Sequence, residues 1–161
     1  MGLDMYLNAK RYVSRSLWDN ANQTREENPK WTEIAEASGL AGYVGDDWTG
    51  IYVNATAVYW RKANAIHNWF VLNVQGGEDN CTPHWVALEQ LVELRDLIRQ
   101  VNADHSLAED LLPPTEGFFF GTTELDEWYW NDLETTEKDL DRVIAMAEED
   151  KMIEFEYHSS W

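Results

Sequence analysis

The chain has 161 residues, 44% hydrophobic and 13% aromatic, a composition that excludes a disordered polypeptide and suffices for one ordinary domain with a sizeable core. Twelve basic residues against thirty acidic ones leave a net charge of −18, which sets an acidic surface against nucleic acid and anionic lipid. A single cysteine, Cys81, excludes an intrachain disulfide, and no apolar stretch is long enough to cross a bilayer.

The opening Met1-Gly2-Leu3-Asp4-Met5-Tyr6-Leu7 has no basic segment and no long apolar run, so no signal peptide is read there and a cytoplasmic location is expected. Residues 3–13 set Leu3, Met5, Leu7 and Ala9 against Asp4, Tyr6, Asn8 and Lys10, and this alternation predicts a strand. Residues 17–30 are polar and read as loop or short helix. Residues 31–37 read as one or two helical turns stopped at Gly39. Four glycines between positions 39 and 50, with Asp46-Asp47, mark turns before a short strand over 50–54.

Three helices are predicted next. The first covers residues 57–73, with Tyr59, Ala63, Ile66 and Phe70 on one side and Gly76-Gly77 at its end. The second takes Thr82 as N-cap and Pro83 as first helical residue, with a stripe of Leu88, Leu91, Leu94, Ile98 and Val101. Pro113-Pro114 breaks the chain, and residues 117–121 read as a buried strand bounded by glycines. The third helix opens with Thr123 and Asp126 in a capping-box arrangement and runs to 149, turning Leu125, Tyr129, Leu133, Leu140, Val143 and Ala147 inward. Residues 152–157 alternate again as a last strand. The pattern is that of a single α+β domain over residues 1–161, a small, mostly antiparallel sheet with about three helices packed on one face. The first and last strands are expected to be neighbours. Most of the nine tryptophans are expected to be packed, since each indole brings a large apolar area.

The blocks Met1-Gly2-Leu3-Asp4-Met5-Tyr6-Leu7, Tyr59-Trp60-Arg61-Lys62-Ala63-Asn64-Ala65-Ile66-His67-Asn68-Trp69-Phe70, Gly117 to Glu124 with Asp126-Glu127-Trp128-Tyr129, and the ending Tyr157-His158-Ser159-Ser160-Trp161 resemble a group of small bacteriophage and prophage proteins. The resemblance implies an origin in a phage or in a bacterium carrying one, hence a bacterial host cell. It implies no mechanism.

Residues 48–77 contain no acid in a chain that holds thirty, yet include Arg61, Lys62, Asn64, His67 and Asn68 among aromatics. One explanation is enclosure, with these polar groups paired to Asp126 and Glu127, because bare burial costs about 1–3 kcal/mol each. The other is a pocket for a small molecule or nucleotide. Arg61 and Lys62 would hold an anionic group, His67 would donate or accept a proton, and Trp60, Trp69, Trp128 or Tyr129 would stack on a ring, with Asp126 and Glu127 beside it. Cys81 and His84 stand near the predicted start of the second helix, where a thiol pKa can fall, but nothing supplies a third catalytic member. His67, His84, His105 and His158 are scattered, so neither a metal nor a cofactor is expected. Phosphate-loop and Gly-x-Ser-x-Gly signatures are absent, and no catalytic residues are assigned.

From Asp104 onward, seventeen acids and three bases give −14, whereas the preceding residues hold thirteen acids and nine bases, or −4. Glu124, Asp132, Glu134, Glu137, Asp139 and Asp141 form the candidate partner surface. It reads as a solvated face that keeps the protein soluble, as a salt-adapted surface, or as carboxylates on a rod that imitate DNA. Lys138, Arg142 and Lys151 can neutralise neighbours at helical spacing. The expected function is that of a phage accessory protein that binds a host protein, such as a DNA-binding or defence protein, through this surface. The alternative is the pocket around Arg61 and His67.

Overall fold

A computed structural model describes residues 2–117 and 120–161. Among the described residues, six strands and five α-helices make an α+β fold: β1 (Asp4–Ser14), β2 (Ser16–Asp19), β3 (Thr24–Glu27), α1 (Pro29–Ala37), β4 (Gly50–Arg61), α2 (Asn64–Asn73), β5 (His84–Val86), α3 (Leu88–Ala103), α4 (Ala108–Leu111), α5 (Glu127–Glu149) and β6 (Ile153–Ser160). A 3-10 turn, His105–Leu107, joins α3 to α4. The main sheet is antiparallel and ordered β4-β1-β6-β5, so the first and last strands are neighbours as expected. No helix of the described residues is long and apolar enough to cross a membrane.

The chain divides into two compact units, one running up to Ala9 and resuming over Ala55–Trp161, the other Lys10–Asn54. In the larger unit the alternation of β1 sends Met5 and Leu7 into a core that also takes Val58 and Trp60 of β4 and Phe155 and Tyr157 of β6. Ile66 and Phe70 of α2, Leu91, Leu94 and Ile98 of α3, and Leu133, Leu140 and Val143 of α5 fill the same core, which puts these helices on one sheet face. Phe70 and Tyr157 stack with ring centroids 3.9 Å apart. On the opposite face the rings of Tyr59, Tyr6 and His158 lie in a row across β4, β1 and β6. The smaller unit holds the β2–β3 hairpin and α1, around Trp31, Ala35 and Ile51, with the Arg15 guanidinium 5.0 Å over the Trp31 ring.

Several sequence expectations are corrected. Residues 57–61 belong to β4 and not to a helix; their period of two places Val58 and Trp60 inside and Tyr59 outside. The chain turns at Lys62, in the left-handed region at φ 60°, whose N–H donates to the Leu3 carbonyl at 2.8 Å. Thr82 caps no helix, because its N–H and hydroxyl both donate to the Asn80 side chain, and Pro83 precedes β5. Instead α3 starts at Leu88, where the Ala87 N–H donates to Gln90 Oε1 at 2.9 Å. Residues 16–27 form a hairpin where loop or short helix is expected. The strand expected over 117–121 falls partly outside the described residues, and Gly117, Phe120 and Gly121 belong to no strand. Asp126, not Thr123, caps α5. Five tryptophans (Trp18, Trp48, Trp85, Trp128 and Trp161) are exposed, against three buried ones, Trp31, Trp60 and Trp69. The indole's polar N–H makes such half-wet positions tolerable.

Candidate functional site

The corner where β4 passes into α2 and the first turns of α5 line one cavity of about 620 Å³ within the larger unit. From the corner come Tyr59, Arg61, Lys62 and Ala63 to Ile66; from α5 and its approach come Glu124, Asp126, Trp128, Tyr129, Asn131 and Asp132. Six of the residues expected to bind a ligand, Arg61, Lys62, Asn64, Asp126, Trp128 and Tyr129, are therefore brought together. His67 and Glu127 do not line this cavity.

Each wall has its own electrostatics. Arg61 and Lys62 are exposed and make no side-chain ion pair among the described residues. Gly121, at φ 93°, holds a left-handed backbone that favours glycine, although a Cβ there would make only ordinary contact, 3.6 Å, with the Lys62 Cβ. Behind the two cations α2 begins at Ala63, which has no side chain to cap the first-turn N–H groups. Asn64 could have served, but its side chain is consumed elsewhere. Its Nδ2 donates to the carbonyls of Phe120 (3.1 Å) and Thr122 (2.8 Å), and its Oδ1 accepts from the Thr115 N–H. Asn64 thus fixes the loop that forms the cavity rim. The corner combines two side-chain cations with the positive end of a helix, the local chemistry that attracts an anion.

The α5 wall is different. Asp126 Oδ1 accepts from the N–H groups of Trp128 and Tyr129 at 3.0 and 3.1 Å, so this helix start already holds its own carboxylate. Asp132, a turn further on, has no hydrogen bond or ion pair among the described residues. Burial first, and the Asp126 charge second, push its carboxyl up to about 6. Tyr129 donates its hydroxyl to the Leu112 carbonyl at 2.9 Å, and burial raises it to about 12, which leaves it a structural phenol. Trp128 is 74% exposed and Tyr59 50% exposed, two faces open to a ring. Tyr59 donates its hydroxyl to Asp4, which raises the phenol above its ordinary value.

His67 serves another network. A carboxylate only accepts, so the 2.9 Å contact from Nε2 to Asp79 Oδ2 makes Nε2 the protonated nitrogen, and Nδ1 accepts from the Tyr157 hydroxyl at 2.7 Å. Ser159 donates to the other Asp79 oxygen at 3.3 Å. Burial lowers the His67 pKa, against the opposing pull of Asp79. The expected partners Asp126 and Glu127 are replaced here by Asp79 and Tyr157. Cys81, at φ 59°, receives a long 4.0 Å contact from the Ser159 hydroxyl; the helix start that would activate it lies seven residues on, at Leu88. His84 bonds the Thr82 carbonyl at 2.9 Å. Among the described residues no three His, Cys, Asp or Glu side chains gather as a metal site.

The expected partner surface is divided. Glu124 and Asp132 line the cavity. Arg99 reaches Glu137 at 3.0 Å and Asp141 at 2.7 Å, Arg95 also approaches Asp141, and Arg142 holds Asp139 at 3.0 Å. Among the described residues, Glu124 and Glu134 of this set are exposed without such a partner. Asp132, like Glu124, lines the cavity, where the sequence reading assigned it to the partner surface and not to a ligand. Its one signal is its spacing of three from Tyr129, which keeps it near the inward side of α5.

Comparison with protein-family models, with curated proteins and with solved structures gives no match.

Proposed function

We propose that this protein binds a nucleotide-sized molecule that carries an anionic group beside a planar ring. The observation that carries this reading is the pair Arg61 and Lys62, without an ion-pair partner among the described residues, beside the start of α2, which has no side-chain cap, in a cavity of about 620 Å³. In a chain of net charge −18, two adjacent cations without a carboxylate partner among the described residues are an unused local attraction. The volume lies within the roughly 300–1,000 Å³ range of small-molecule sites. Trp128 and Tyr59 offer ring faces, for which base–aromatic stacking contributes about 1–3 kcal/mol. The anion belongs at the Arg61–Lys62 corner, since Asp126 occupies the other helix start.

Action on a host protein through the acidic face has less support. Arg95, Arg99 and Arg142 neutralise Glu137, Asp139 and Asp141, which breaks the row of free carboxylates a DNA mimic would need.

The test is equilibrium dialysis of purified protein against nucleoside monophosphates, with the Arg61→Gln/Lys62→Gln double variant beside it. Both side chains are exposed, so the variant is expected to fold. Retention by the wild type and its loss in the variant support the reading. Equal retention by both, or none by the wild type, overturns it.

A further inference from the structure

We infer that the occupant of this cavity bears amino N–H donors on the end of its ring remote from the anionic group, so that the site selects cytosine- or adenine-type rings over their oxo counterparts. This rests on the reading of the cavity as an anion-and-ring site. It follows from how the two walls differ. One wall carries the positive charge: Arg61 and Lys62, beside the first turn of α2, which has no side-chain cap. The other supplies carboxylates: Asp132, Asp126 and, toward the rim, Glu124. Of these, Asp126 is committed to the N–H groups of Trp128 and Tyr129, whereas Asp132 has no hydrogen-bond or ion-pair partner among the described residues.

A half-buried carboxylate without a donor is unfavourable, and an N–H donor on the occupant relieves it. With its carboxyl raised to about 6, Asp132 is still mainly ionised at neutral pH and accepts only. A ring that presents a carbonyl oxygen at this place sets lone pair against carboxylate. A ring that presents an amino group forms a charge-assisted hydrogen bond. Asn131 and Thr135, the other polar side chains of this wall, can donate or accept and so do not discriminate.

Paired nucleotides isolate this effect, because cytidine and uridine monophosphates, like adenosine and inosine monophosphates, differ chiefly in an amino group against an oxo group. Isothermal titration at pH 7.5 is run with all four on wild type and on Asp132→Asn. The amino member of each pair is expected to bind about tenfold more tightly, as for other base-edge contacts made by one side chain. Asp132→Asn is expected to erase most of that preference while phosphate-dependent binding remains. Equal affinities within each pair, or a preference unchanged in the variant, overturn this inference and leave the anion-and-ring reading standing. Binding of none of the four by the wild type overturns both.

Discussion

Replacing Asp132 by asparagine keeps the shape of the side chain and removes its charge. The folded carboxyl sits at about 6 against an ordinary 3.8, because burial and the neighbouring Asp126 disfavour its ionised form. At about 1.4 kcal/mol per tenfold, the full difference corresponds to about 3 kcal/mol, and the side chain's remaining contact with water reduces this to about 1–2 kcal/mol. The direction follows from proton binding. As pH rises, the unfolded chain loses this proton first, so the stability associated with the protonated acid is complete below about 3.8 and is lost as pH passes through about 6. The asparagine has no such loss. Asp132→Asn should therefore be more stable than wild type at pH 7.5, with an advantage that shrinks by about 1 kcal/mol on going to pH 5. Urea unfolding followed by tryptophan fluorescence at pH 5, 6, 7 and 7.5 measures it. A variant no more stable than wild type at pH 7.5, or an advantage independent of pH, refutes the claim that Asp132 is an uncompensated carboxylate.

Thr136→Val should lose about 1–3 kcal/mol, because the buried Trp60 Nε1–H now donating to Thr136 Oγ1 at 2.8 Å is left unpaired; a loss under 0.5 kcal/mol by urea titration counts against this bond. Burial holds His67 below its ordinary imidazole value, so the stability it contributes is present above about 6.5 and lost as pH falls toward its folded pKa. An NMR titration that finds His67 protonated at or above 6.5 in the folded protein contradicts that direction. Arg99→Ala should leave the urea midpoint almost unchanged despite its contacts to Glu137 and Asp141, since this cluster is solvent-exposed. A midpoint that falls as far as that of Thr136→Val would show that the cluster supports the fold far more than an exposed network does.

The elements most legible in the sequence are those with sustained local periodicity. The alternation of β1 and β6 and the apolar stripe of α5 repeat often enough that tertiary contacts only confirm them. Residues 57–63 are ambiguous by the same reasoning: Tyr59, Ala63, Ile66 and Phe70 suit a helix, while Val58 and Trp60 inside with Tyr59 outside suit a strand. Pairing with β1, some fifty residues away, decides it. Thr82-Pro83 is likewise a sound local helix start, overridden when His84 pairs with Tyr157 of β6. Of the site, the neighbourhood of Arg61, Lys62 and the Asp126–Tyr129 turn was visible as unusual chemistry. His67 was not separable from it, because its ring turns to Asp79 and Tyr157. Asp132 was hidden among the many acids of α5, since its place in the cavity and its lack of a partner among the described residues, and not residue type, distinguish it.

Three locally unfavourable features meet at this one cavity: a lysine in the left-handed region at position 62, an alanine at the N-cap of α2, and the unpaired Asp132. Folding alone favours glycine at the first, serine at the second and a neutral side chain at the third. Departures from local preference that cluster in space mark a site better than any of them singly. The consequence is measurable at Lys62. A non-glycine residue in that conformation costs about 1–2 kcal/mol, so Lys62→Gly should stabilise the fold by about 1 kcal/mol after the entropy of glycine is counted. Its affinity for cytidine monophosphate should fall, because half of the cationic corner is removed. Lys62→Asn, which also tolerates this backbone, should be stabilised less and bind as weakly. A Lys62→Gly protein that gains stability and keeps full affinity would mean that the left-handed lysine serves neither fold nor ligand, and the spatial clustering would then carry no functional weight.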